Sequence, residues 1–114
     1  MKHRQKRIEE LLKELCSEII RELKDPRIGF TTVTGVTISP DLQQAKVLVS
    51  VMGEPKVQQQ TLEGLKNSHG FFKKRLGENL HLRHIPNLTF HLDDSLDHGI
   101  RIMELLQSIK NENS

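Results

Sequence analysis

The stretch that decides the fold is FTTVTGVTISPDLQQAKVLVSVM, residues 30–52. Its first nine residues, Phe30 to Ile38, are dominated by β-branched side chains and predict a strand. Apolar parity switches between Val33 and Val36 with Gly35 at the switch, so a β-bulge there is expected to restore the alternation. Ser39-Pro40-Asp41 carries turn chemistry. Beyond it Ala45, Val47, Val49 and Val51 alternate with Lys46, Leu48, Ser50 and Met52, the period-two pattern of a half-buried strand. So short a connection makes the pair an antiparallel hairpin.

On the N-terminal side, Ile8, Leu11, Leu12, Leu15, Ile19 and Leu23 recur at three- and four-residue steps and predict one amphipathic helix, with Cys16 and Ile20 flanking the stripe. Cys16 is expected to be a small core residue, since no cation is spaced to activate its thiol. Glu10, Glu14, Glu18 and Glu22 form a second row that repels phosphate. Asp25-Pro26 ends the helix, because proline disfavours the αR region in the residue before it. On the C-terminal side, Gly53-Glu54-Pro55 breaks the strand and starts a helix along which Val57, Leu62, Leu65, Phe72 and Leu76 keep helical spacing. Ser68-His69-Gly70 predicts a bend or break near residue 70. Pro86 opens a third strand through Leu88, Phe90 and Leu92. A terminal helix is expected on Leu96, Ile100, Met103 and Leu106, capped by Asp94 or Ser95.

The order helix, strand, strand, broken helix, strand, helix is α+β: a three-stranded sheet covered by helices on one face. The last strand returns after a helical crossover and is placed to pair parallel with a hairpin strand. At 114 residues there is room for one domain, expected over 1–110 with a frayed tail at 111–114. The 35% hydrophobic content and mean hydropathy of −0.49 suit a globular chain and exclude disorder throughout. No apolar run approaches the roughly 20 residues of a membrane span, and the charged N-terminus is no signal peptide. With its single cysteine, the chain is expected to be cytoplasmic, with no membrane partner and a monomer as the default state.

Charge is unevenly spread. Net charge is +2, from 17 basic and 15 acidic residues. Yet Lys2, Arg4, Lys6 and Arg7 cluster within the first seven residues, and Lys66, Lys73, Lys74, Arg75 and Arg83 stand against Glu78 alone over 66–84. Such asymmetry suits a polyanion-facing surface.

Enzyme chemistry finds little support. There is no GxSxG, P-loop or GxGxxG. His81-x-x-His84 has a two-ligand spacing but lacks any HExxH or CxxC companion, so neither metal nor cofactor is expected. Asp93, Asp94 and Asp97 beside His98 fit helix-start capping better than acid–base work. Nucleic-acid binding fits better. Lys66, Lys73, Lys74 and Arg75 bracket the small residues of the helix break, where phosphate can approach main-chain N–H groups and a following helix N-terminus. Four Phe and no Trp or Tyr give little base-stacking surface. Recognition of RNA backbone and shape, sensitive to salt, is therefore expected.

The element order is similar to a type II KH domain, but no two of the seven glycines are three apart, so the GxxG loop is missing. Together with Lys24-Asp25-Pro26-Arg27-Ile28-Gly29, Ser39-x-Asp41-Leu42-x-x-Ala45-Lys46-Val47, Arg83-x-x-Pro86-x-Leu88-x-Phe90, and Asp93 to Ser95 followed by Gly99 and Ile102, this resembles the bacterial ribosome-binding factor A family from about residue 3 to 106. The resemblance implies a KH-like fold whose GxxG loop is replaced by an Ala-x-Gly kink, matched here by Ser68, His69 and Gly70. Ser68 departs from the family's Ala, and its hydroxyl can bond locally or contact phosphate. His69 adds a titratable donor.

A non-enzymatic assembly factor of the small ribosomal subunit is implied, binding immature subunits and supporting rRNA maturation around the 5′-terminal helix and decoding region. Growth in the cold, a maturation GTPase that promotes release, and competing initiation factors belong to the same picture. The RNA face is expected to hold Lys66, Ser68, His69, Gly70, Lys73, Lys74 and Arg75. Lys2, Arg4, Lys6 and Arg7 form a second patch, with Arg27 and Arg83 as weaker candidates. Two alternatives stand beside it: a general KH-like RNA binder, and a protein-docking module using the Glu10–Glu22 row or the terminal helix.

Overall fold

The structure, a computed structural model, describes residues 2–93. The terminal helix expected from Leu96, its caps at Asp94 and Ser95, the residues Asp97, His98, Gly99 and Ile102, and the tail at 111–114 all lie outside the described residues.

Helix α1 (Lys2–Glu22) lays Ile8, Leu12, Cys16, Ile19 and Ile20 into the core, with Leu15 and Leu23 half-buried. Leu11, expected in the buried stripe, is instead 40% exposed. At about 100° per residue it lies a quarter-turn from the centre of the line through Ile8, Leu12 and Ile19. Cys16, about 60° round from that line on the side of Ile20, is fully buried, and burial pushes its thiol up to about 12. The helix is tied to the sheet where Glu9 Oε2 accepts from the Ile38 N–H at 2.8 Å.

Strands β1 (Thr31–Ile38) and β2 (Gln44–Val51) form the expected antiparallel hairpin. Val33 faces Val49 and Gly35 faces Leu48, so Thr34 is the extra residue of a bulge. Phe30 lies just before β1 rather than in it and is 71% exposed, opposite the equally exposed Met52, whose N–H donates to the Phe30 carbonyl at 3.0 Å.

Helix α2 (Pro55–Asn67) starts on Pro55, whose missing N–H is harmless in the first turn. Helix α3 (His69–Asn79) follows, then β3 (Asn87–Leu92), which pairs parallel to β2 and gives the order β1-β2-β3. Parallel pairing follows from the helical crossover between them. Ala45, Val47 and Val49 of β2 and the half-buried Leu88, Phe90 and Leu92 of β3 meet α1, Leu65, Phe72 and Leu76 on one face of the sheet.

The helix break is centred at Ser68, two residues before Gly70. The Ser68 N–H donates to the Leu65 carbonyl at 3.1 Å, its hydroxyl donates back to Gly64 O at 2.8 Å, and α3 begins with Ser68 O accepting from Phe72 N–H at 3.1 Å. Gly70 sits inside α3 with open space where a Cβ would project. The glycine the packing requires is Gly64, where a Cβ would come within 2.8 Å of Ile28 Cγ1. Ile28 belongs to the Lys24–Gly29 loop, which the fully buried Thr61 holds against α2: its hydroxyl accepts from Gly29 N–H at 3.0 Å and donates to Arg27 O at 3.3 Å.

Candidate nucleic-acid interface

Between α2–α3 and β3 runs a groove of about 610 Å³. Leu62, Leu76, Leu88 and Phe90 give it an apolar floor, and Lys66, His69 and Lys73 bring positive charge or donors to its walls beside Glu63. Its far wall, β3, is an edge strand of the sheet among the described residues. Phe72 and Phe90 meet at 5.0 Å between ring centroids beneath the α3 wall.

Three consecutive cations of α3 go to three different places. Phe72 and Leu76 face the core. Lys73, about 100° on from Phe72, turns into the groove with His69 one turn before it. Lys74 points away from the core and is exposed. Arg75 turns towards α1, where its Nη2 and Nε donate to Glu22 Oε2 at 2.6 and 2.9 Å and its Nη1 to Glu78 Oε2 at 3.2 Å. The guanidinium also lies 5.7 Å from the centroid of the Phe71 ring. These hydrogen bonds, Glu22's first, hold its pKa above the ordinary guanidinium range.

The remaining sequence candidates are scattered. Arg27 is engaged with Asp25, its Nη2 donating to Oδ2 at 2.7 Å, and this hydrogen bonding holds the Asp25 carboxyl below its usual range. Ser68 directs its hydroxyl to Gly64 O, leaving the local alternative realised. Arg4, Lys6 and Arg7 are exposed on the first turns of α1, which Lys2 begins. The eighteen helical steps from Arg4 to Glu22 span about 27 Å, so this patch and the Glu22–Arg75 ion pair lie at opposite ends of α1. Arg83 is exposed in the 80–86 loop, with His81 and His84, and does not line the groove. Among the described residues, Lys66, His69, Lys73 and Lys74 pair with no carboxylate.

Sequence reading missed Leu62, Leu88 and Phe90 as a groove floor, seeing only core stripes. It also missed Thr61 and Gly64. A small or hydroxylated residue interrupting an apolar helix face was the available signal for both.

Among the described residues no group of three or more His, Cys, Asp or Glu is placed to hold a metal, and no helix is long and apolar enough to cross a membrane. Residues 4–106 match the sequence profile of ribosome-binding factor A. Ribosome-binding factor A of Halothermothrix orenii is 49% identical over 112 residues, covering 97% of this chain and 92% of that protein. The Desulforamulus reducens protein of the same name is 46% identical, covering 98% and 94%. In three dimensions the chain is similar to the crystal structure of Thermus thermophilus ribosome-binding factor A (TM-score 0.71, 27% identity, 77% of this chain and 93% of that one). It is also similar to coordinates of the Thermus thermophilus factor fitted into a cryo-EM map of its complex with the 30S subunit (TM-score 0.62, 28% identity, 72% and 87%).

Proposed function

The chain belongs to the ribosome-binding factor A family, and from that premise we propose that it is a non-enzymatic assembly factor that binds immature small ribosomal subunits through rRNA. The observation that carries this reading is the groove: an apolar floor beside an edge strand, with Lys66, His69 and Lys73 on its walls and, among the described residues, no carboxylate partner for any of the three. Cations left without partners stay available to phosphate, and each phosphate neutralised releases counterions. The half-buried floor accepts sugar and base surface.

Late maturation of small-subunit rRNA, including processing near its 5′ end, follows if the bound conformer is the mature one. Cold stabilises wrong RNA pairings, and preferential binding to one conformer shifts the population towards it without nucleotide hydrolysis. A monomer acting in the cytoplasm, released with the help of a maturation GTPase, completes the proposal. Lys74 adds outward charge, and Arg4, Lys6 and Arg7 supply a second contact far from the groove.

Cosedimentation with immature and mature small subunits at two salt concentrations tests this. Wild type should travel with the immature subunits. Lys66→Glu/Lys73→Glu, with its fold verified by circular dichroism, should lose roughly 10²-fold in affinity, on the order of 1.4 kcal/mol per reversed contact. Equal binding by both would move the interface elsewhere; equal binding to naked RNA of any kind would favour a general RNA binder.

A further inference from the structure

Position 75 reads in the sequence as one of three adjacent cations, yet its guanidinium is spent inside the domain. Helix α3 is gripped by Phe72 and Leu76, which lie one turn apart along a single line. A helix held along one line is free to roll about it. At its N-terminal end the Ser68 break leaves no continuous helix to resist that roll. Among the described residues, a contact that lies off the line is Arg75, about 60° round from Phe72 on the side opposite Lys73, joined to Glu22 at the last residue of α1. Glu78 and the Phe71 ring hold the guanidinium in that direction.

We propose that Glu22 and Arg75 form a positioning clasp: their ion pair fixes the roll of α3, and so sets where Lys73 and His69 stand on the groove wall, while Arg75 itself makes no phosphate contact. The clasp rests on reading the groove as the RNA-facing site. Tightening α3 towards α1 keeps Lys73 turned into the groove; releasing it lets the three cations rotate together. Glu22, in a row that otherwise repels phosphate, is then a residue that aids RNA binding from behind.

Two readouts on the full chain test this. In anisotropy titrations with a fluorescein-labelled single-stranded RNA oligonucleotide of mixed sequence, Glu22→Gln and Arg75→Gln should each weaken binding by the same factor, no more than about fivefold, as befits a half-exposed pair. The double variant should lose no more than either single one. The slope of log affinity against log salt should not change, and Arg75→Lys should behave like Arg75→Gln, because an ammonium cannot reproduce the forked contact. A phosphate-binding Arg75 demands the opposite: a slope smaller by about 0.7, rescue by lysine, and tighter binding by Glu22→Gln, which removes a competing carboxylate. Any of those three overturns the clasp.

The second readout needs no RNA. Amide shifts of residues 69–74 should move together in Glu22→Gln and Arg75→Gln, with those of α1 before Ser17 unmoved. If α3 amides stay in place the clasp is wrong, whatever the RNA does. If they move but wild type binds neither the oligonucleotide nor immature small subunits, the clasp's hold on α3 stands and the reading of the groove falls.

Discussion

On one flank of α3, Lys73 and His69 stand a helical turn apart over a groove, without a carboxylate partner among the described residues; on the other, Arg75 is held between Glu22 and Glu78 against Phe71. One flank leaves its cations unpaired among the described residues and the other pairs its cation within the fold. Lys73 and Arg75 are two residues apart, which on a helix is about 200° of rotation. A run of cations in sequence is therefore not a surface. The partners that decide each one's role, Glu22 for Arg75 and β3 for Lys73, come from distant parts of the chain.

The comparison is broken most severely if neighbours on different faces turn out to be equivalent. Phe72 is 1% exposed and packs on Phe90, whereas Phe71 is 38% exposed beneath Arg75. Phe72→Ala should destabilise the domain by about 3–5 kcal/mol in urea denaturation. Phe71→Ala should cost about 1 kcal/mol or less. Similar losses would mean that α3 does not have the roll assigned to it.

The two glycines of the broken helix sharpen the contrast between a packed α2 and an open start of α3. Gly64→Ala drives a methyl into Ile28 and should destabilise by about 1–3 kcal/mol. Gly70→Ala meets nothing and should stabilise by up to about 1 kcal/mol through helix propensity. If Gly70→Ala nevertheless weakens binding to small subunits, RNA backbone approaches that turn closely; if binding is unchanged, contact is confined to the groove.

The smallest effect belongs to the loop on the α2 side. Asp25 has its carboxyl held down by Arg27, so its ion pair stabilises the fold above the ordinary carboxylate range and is lost as pH falls through the lowered folded value. Asp25→Asn should lower the melting temperature slightly at neutral pH. That difference should vanish in acid, and a difference that persisted there would assign the effect to the backbone turn instead.

Much of this was legible locally. The hairpin with its bulge at Thr34–Gly35, the end of α1 at Glu22 ahead of Asp25-Pro26 and the break near residue 70 each follow from period, turn chemistry or proline over a few residues. Leu11 was misjudged because its spacing fits the stripe while its angle is off centre, and only the sheet's position selects between the two. The pairing of Arg75 with Glu22 could not be read from the sequence, because the two lie fifty-three residues apart.

By itself the sequence determined the elements and their order, the family motifs, and the location of a basic segment at a helix break. These depend on backbone preferences and on periodicity, which act over one or two turns. Only the tertiary structure decided which cations line the groove, which glycine of the broken helix the packing requires and which hydroxyl holds the Lys24–Gly29 loop. Those roles are set by what a side chain meets after the chain has folded back. Thr61 on Gly29 and Glu22 on Arg75 are contacts that no local period encodes.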